Sequence, residues 1–150
     1  MGNRRKSREL AMQALFYMDM NHNVSEEMLE RFCNHFDPPA KVRPFFLELV
    51  SGVIQTMAQI DQMIERFSKN WKLNRMSCVD RNILRMAVYE IIFCREIPPK
   101  VSINEAIDIG KKFGTEESGA FINGIVDSIR IAYENEDLCI DPVRAEHDMG

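Results

Sequence analysis

Pro98–Asp127 reads PPKVSINEAIDIGKKFGTEESGAFINGIVD, and its punctuation sets the fold. Two prolines stop whatever precedes them, because proline lacks the amide proton a helix interior needs. Ser102 and Glu105 then match the S-x-x-E capping box that opens a helix. Ile103, Ala106, Ile107 and Gly110 follow at helical spacing and predict an inward stripe. Gly114 is placed to supply a left-handed C′ residue. Thr115 is placed to cap a last helix whose stripe is Ile122, Ile125, Val126, Ile129 and Tyr133. The segment thus predicts two amphipathic helices joined by a charged turn.

Upstream, Ser77 with Asp80 three residues later resembles another capping box. The helix it opens, Cys78 to about Arg95, is apolar around much of its circumference through Val79, Ile83, Leu84, Met86, Ala87, Val88, Ile91 and Ile92. Such a helix belongs in the middle of a bundle. Its polar strip holds Arg81, Asn82, Arg85 and Tyr89. Nearer the start, a first helix is predicted from Asn3 as cap to about Met20, with Ala11, Ala14, Leu15 and Met18 inward. Ser25 caps a second, which carries Met28, Leu29, Phe32, Cys33 and Phe36 and ends at Pro38 and Pro39. A third begins near Arg43, with Phe46, Leu49, Val50, Val53, Ile54 and Met57 inward. Asp61 is read as opening a short further helix with Ile64 and Phe67. Asn70–Met76 reads as a connection pinned by Trp71. No segment has the period-two alternation of a strand. The expectation is an all-α fold of about seven helices in two small packed bundles, residues about 1–69 and 77–135. The acidic, proline-containing residues 136–150 are expected to be a flexible tail.

The 150 residues suffice for one domain with a proper core. Met, Ile, Glu, Arg and Lys are plentiful while valine and threonine are scarce, which favours helix over sheet. The net charge of −4 carries no general nucleic-acid signature, but it averages a basic start with an acidic end. The four cysteines, Cys33, Cys78, Cys94 and Cys139, form no CxxC pair and read as reduced thiols. The basic start runs into Glu9, Gln13 and Asp19 rather than an uninterrupted apolar stretch, unlike a signal peptide. The most apolar stretch, Phe45–Ile60, is too short and too polar to span a bilayer. A cytoplasmic protein with no membrane association is expected.

Catalysis finds little footing. His22, His35 and His147 are scattered, and no glycine-rich phosphate loop follows a strand, since Gly110, Gly114, Gly119 and Gly124 sit at helix caps or packing positions. Glu116 and Glu117 fall in what reads as a helix first turn, where carboxylates suit the dipole. No catalytic residue, metal or cofactor is expected. The basic start is more telling. Each of Arg4, Arg5, Lys6 and Arg8 opposes the helix macrodipole at a cost of about 0.3–1 kcal/mol when exposed. An RNA phosphate would reverse that penalty. Gln13, Phe16 and Tyr17 lie one to two turns on, as an amide and rings available to bases. Composition alone favours a solvated, frayed arm and leaves RNA binding the minority reading.

Pro98–Asp127 resembles the C-terminal signature of the NusB family of bacterial antitermination factors, through KVSINEAIDIGKKFG, EES and FINGIVD. Val79–Ile91, VDRNILRMAVYEI, is similar to that family's central helix, and Arg4–Tyr17, RRKSRELAMQALFY, to its arginine-rich first helix. The three blocks in order cover about 60 residues and are jointly specific; residues 21–75 match mainly in helical pattern. The resemblance implies an RNA-binding factor, not an enzyme, that pairs with NusE, a small-subunit ribosomal protein. The pair would recognise the single-stranded boxA element of nascent RNA, join the RNA polymerase elongation complex and support ribosomal RNA synthesis. It places Arg4, Arg5, Lys6 and Arg8 on the RNA-binding arm, Gln13 and Phe16 on the adjoining surface, and Glu117 near the RNA site. Asp80 falls at the NusE-facing start of the central helix, with Arg81 and Tyr89 as neighbours. Ala120 stands where a lysine often occurs, so one RNA contact departs from the pattern.

Two alternatives remain at this stage. The same helical fold forms the N-terminal domain of some ribosomal RNA methyltransferases, although no strand or nucleotide-binding loop accompanies it here. A protein-binding or homodimeric module, with an incidental basic arm, is the other.

Overall fold

The computed structural model describes residues 2–136, and the acidic tail read from the sequence lies outside them except for its first residue, Glu136. The described residues form six α-helices and one short 3-10 turn: α1 (Gly2–Met20), α2 (Glu26–His35), α3 (Arg43–Phe67), the turn Leu73–Arg75, α4 (Cys78–Phe93), α5 (Pro99–Phe113) and α6 (Ser118–Glu134). No strand occurs among them. No helix is long and apolar enough to cross a membrane. The all-α expectation holds, with six helices rather than about seven.

The difference lies in α3. The separate helix expected to open at Asp61 is the continuation of one 25-residue helix. Asp61 does not turn back to cap a backbone; its carboxylate accepts from Arg85 Nε and Nη2 at 2.8 and 3.0 Å. No proline or glycine interrupts the stretch after Gly52, so nothing breaks the hydrogen-bond ladder before Ser68.

α4 packs against α1, α3, α5 and α6, as its all-round apolarity requires. Phe46, Leu15, Met18, Ile83, Leu84 and Ile92 are fully enclosed in one core that draws on all six helices. Each such large side chain contributes roughly 1.5–3 kcal/mol by leaving water. Ser25 caps α2 by accepting from Met28 N at 3.2 Å, and Ser77 caps α4 by accepting from Asp80 N at 3.1 Å. Both caps match the sequence reading.

Several local expectations fail, each for a physical reason. Asn3 lies inside α1 rather than capping it, and its carbonyl accepts from the Ser7 hydroxyl at 2.8 Å. α5 starts one turn before Ser102, at Pro99, whose fixed φ suits the first helical position. Ser102 and Glu105 therefore make no capping box. Gly114 has φ −100 and ψ −147, not a left-handed conformation; it is needed because a Cβ there would sit 2.3 Å from Ser118 Oγ and 2.8 Å from the Gly110 carbonyl oxygen. α6 opens at Ser118 with Glu117 as its half-in flanking residue, so Glu116 and Glu117 precede the helix instead of forming its first turn. Thr115 therefore does not cap α6; its hydroxyl accepts from Glu117 N at 3.3 Å, ahead of the helix.

Candidate nucleic-acid interface

The basic start of α1 is stabilised by carboxylates from two other helices. Arg8 is buried, and its Nε and Nη2 donate to the Glu90 carboxylate on α4 at 2.8 to 3.1 Å. Ser102 on α5 donates to the same carboxylate at 2.9 Å. Arg8 Nη1 also reaches Glu105 at 3.3 Å. Arg5 donates through Nε and Nη2 to Glu105, and through Nη2 to Asp108 at 2.8 Å. Ser102 and Glu105, unused as a cap, are thus the residues that join α5 to the arm. A buried carboxylate needs a paired cation, so Glu90 on the largely buried α4 is the sequence signal for this pairing.

Charge states follow from this geometry. Burial works against the Arg8 charge, but hydrogen bonds and charge from Glu90 and Glu105 outweigh it and raise its pKa. The Glu105 carboxyl is held below its ordinary range, first by the hydrogen bond from Arg5, against its own partial burial. Arg5, Arg8 and Glu105 are thereby held in their charged forms.

Arg4 and Lys6 are exposed. Neither has a carboxylate partner among the described residues. The Arg4 guanidinium lies 4.7 Å from the centroid of the Phe45 ring, a cation–π seat that orients it while leaving its donors free. Asn3, Arg4, Arg5 and Arg8 line an open cavity of about 570 Å3 together with Ile97, Pro98 and Val101.

Farther along α1, Lys112 Nζ donates to Glu9 at 3.0 Å. This pair and Arg5–Asp108 share a sequence offset of 103. Gln13, one turn beyond Glu9, and Glu117, in the turn after α5, are both exposed. Phe16 is half-buried against the core, one turn beyond Gln13. Ala120 is exposed on the first turn of α6. Arg5, Glu9 and Gln13 follow at i, i+4 and i+8 and share one face of α1, whereas Arg4 lies on the Phe45 side of the helix.

The start of α4 forms a second polar cluster. Asp19 at the end of α1 accepts from Arg81 Nε at 2.7 Å, Asn82 Nδ2 at 2.9 Å and Arg85 Nη1 at 3.3 Å. Burial raises the Asp19 pKa, yet these donors lower it on balance. The polar strip of α4 thus faces α1 and α3 rather than open solvent. Asp80 Oδ1 is buried without a hydrogen-bond partner among the described residues. Tyr89 lies away from this cluster, stacked on Phe93 with centroids 5.4 Å apart and packed so closely on Gly52 that a Cβ there would fall 2.1 Å from the ring. Burial raises its pKa. Cys33, Cys78 and Cys94 are free thiols; Cys139 lies outside the described residues.

Fold and surface together define a small all-helical protein built around one buried central helix, with a basic first helix locked to it. Residues 5–130 match the NusB family. The chain is 56% identical over 137 residues to the transcription antitermination protein NusB of Desulfatibacillum aliphaticivorans, covering 91% of this chain and 96% of that protein. It is 53% identical over 133 residues to the NusB of Desulforapulum autotrophicum, covering 87% and 93%. Among solved structures, T. maritima NusB superposes with a TM-score of 0.76 at 37% identity, over 90% of this chain and 97% of that one. A crystal structure of antitermination factors NusB and NusE in complex with dsRNA superposes with a TM-score of 0.78 at 26% identity, over 89% and 99%. The chain belongs to the NusB family.

Proposed function

We propose that this chain is an RNA-binding transcription antitermination factor. In the proposal it pairs with NusE, binds single-stranded boxA RNA in nascent transcripts, and supports ribosomal RNA synthesis within the RNA polymerase elongation complex. The observation that carries this reading is the state of the arm: two exposed cations, Arg4 and Lys6, stand on a helix start that Arg5 and Arg8 hold rigidly to α4 and α5. An arm that was merely frayed would not invest two arginines in fixing its place. Relatives named for antitermination, and a similar NusB structure bound to NusE and RNA, support the same reading.

Roles divide by exposure. Arg4 and Lys6 supply phosphate contacts, and Arg5 contributes from the edge of its ion pairs. Arg8, whose donors are taken up by Glu90 and Glu105, positions the others. Gln13 offers an amide to base edges, Phe16 supports that surface from half-buried packing, and Glu117 accepts from base amino groups. NusE docks at the start of α4, where Asp80 is partly exposed and Arg81 is already oriented by Asp19. Tyr89 supports this surface indirectly, by holding α4 against α3.

Fluorescence anisotropy of labelled boxA RNA, with and without NusE, tests the proposal. Binding strengthened by NusE is expected. A chain that ignores RNA in both conditions and stays dimeric by light scattering would favour a protein-binding module instead.

A further inference from the structure

We propose that Trp71 is a base-stacking residue that extends the RNA surface beyond the arm; the inference rests on the RNA-binding reading above. Trp71 is the only tryptophan in the chain, and 52% of its surface is exposed. A single exposed ring is ordinary on a protein surface. Here its backbone is fixed from three directions. Trp71 N donates to the Ser68 carbonyl at 2.8 Å, and the buried Ser68 hydroxyl donates back to the Trp71 carbonyl. Just beyond, Leu73 N donates to Glu65 at 3.0 Å. Arg81 Nη1 then holds the Leu73 and Met76 carbonyls at 3.1 and 3.2 Å. A rigid turn thus holds the largest aromatic side chain half in water.

Its location matters as much as its rigidity. The indole meets the Phe121 ring edge-on, with centroids 6.3 Å apart and planes at 83°. Phe121 is one turn from Glu117, whose carbonyl accepts from Phe121 N at 3.0 Å. On the other side, Arg81 ties the same connection to Asp19, at the end of the helix that carries Gln13 and Phe16. The turn therefore bridges the α1 side and the α6 side of the surface. Because the two rings are nearly perpendicular, neither covers the other flat, and a nucleobase can lie on the indole. Lys69 and Lys72 flank Trp71 and are exposed, which places cations where the backbone of a stacked nucleotide would run.

As the sole tryptophan, Trp71 reports on itself. Tryptophan emission and the anisotropy of labelled single-stranded boxA RNA are read in the same titration, on the full chain alone and on its complex with NusE. RNA is expected to quench the emission along the binding curve. Trp71→Ala should weaken RNA binding by roughly 5- to 100-fold, in line with the loss of one base–aromatic stack. Trp71→Phe should restore binding to within a few fold, with helical circular dichroism unchanged in both variants. If RNA binds while the emission and the Trp71→Ala affinity stay unchanged, the stacking role is wrong and the RNA-binding reading survives. If NusE alone changes the emission and RNA adds nothing, Trp71 is a protein contact and the stacking role is again wrong. If RNA does not bind the wild-type chain in either form, both readings fail.

Discussion

Removing the Glu90 carboxylate should separate the structural from the recognition role of the basic arm. In Glu90→Ala the Arg8 guanidinium, with 4% of its side chain exposed, keeps only the 3.3 Å ion pair with Glu105 and its seat over the Phe45 ring. The Ser102 hydroxyl loses its acceptor as well. Breaking a buried ion pair from one side costs about 3–5 kcal/mol, because a charge is left in low dielectric without its partner. For a domain of this size each kcal/mol lowers Tm by roughly 2–4 °C, so a drop of about 6–20 °C follows. The double substitution Arg8→Met with Glu90→Leu removes both charges and fills the space, and such replacements are often neutral. It should recover most of the lost stability. Urea and thermal unfolding, followed by circular dichroism on the wild type, the single variant and the double variant, give the comparison. A Glu90→Ala cost below about 1 kcal/mol, the range of exposed pairs, would show that Arg8 is not held as described.

Other consequences are direct. Gly52→Ala would push a Cβ into the Tyr89 ring at 2.1 Å, and overpacking of this kind costs about 1–3 kcal/mol; thermal unfolding should show it, and a wild-type Tm would contradict the α3–α4 contact. Glu105 is held below its ordinary value of 4.5, chiefly by Arg5. The unfolded chain therefore takes up this proton first as pH falls, so the stabilisation is complete above the ordinary value and is lost as pH falls through the lower folded value. Urea unfolding from pH 7 to pH 3 should show Glu105→Gln less stable than wild type at neutral pH, with the gap closing in acid; a gap independent of pH would refute the pairing. Lys112→Ala, which removes an exposed partner of Glu9, should change stability by less than about 1 kcal/mol.

Local patterns in the sequence located the helices well, and long-range pairings are where they ran out. Ser25 and Ser77 capped their helices, and the apolar girth of α4 put it at the centre, although α4 ends at Phe93, short of the prolines read as its stop. Ser102 and Glu105 satisfied a local rule and yet served a tertiary one, because Pro99 had already started the helix and the buried arginines needed acceptors. Asp61 misled in the same way: its partner Arg85 is 24 residues distant. The arm was legible as an electrostatic oddity, but Arg8 and Glu90 are 82 residues apart, and no periodicity links them. The division between positioning arginines and exposed cations is visible only in three dimensions.

The salt dependence of boxA RNA binding to the complex with NusE, measured for the wild type and for Arg4→Ala with Lys6→Ala, tests the central claim most directly. Single-stranded RNA releases counterions with a slope of about −0.7 per neutralised phosphate. The wild type should therefore show a clearly negative slope of log affinity against log salt, and the double variant should bind more weakly with a slope shallower by roughly 1.4. Equal affinities and equal slopes would mean that the basic start of α1 does not touch the RNA.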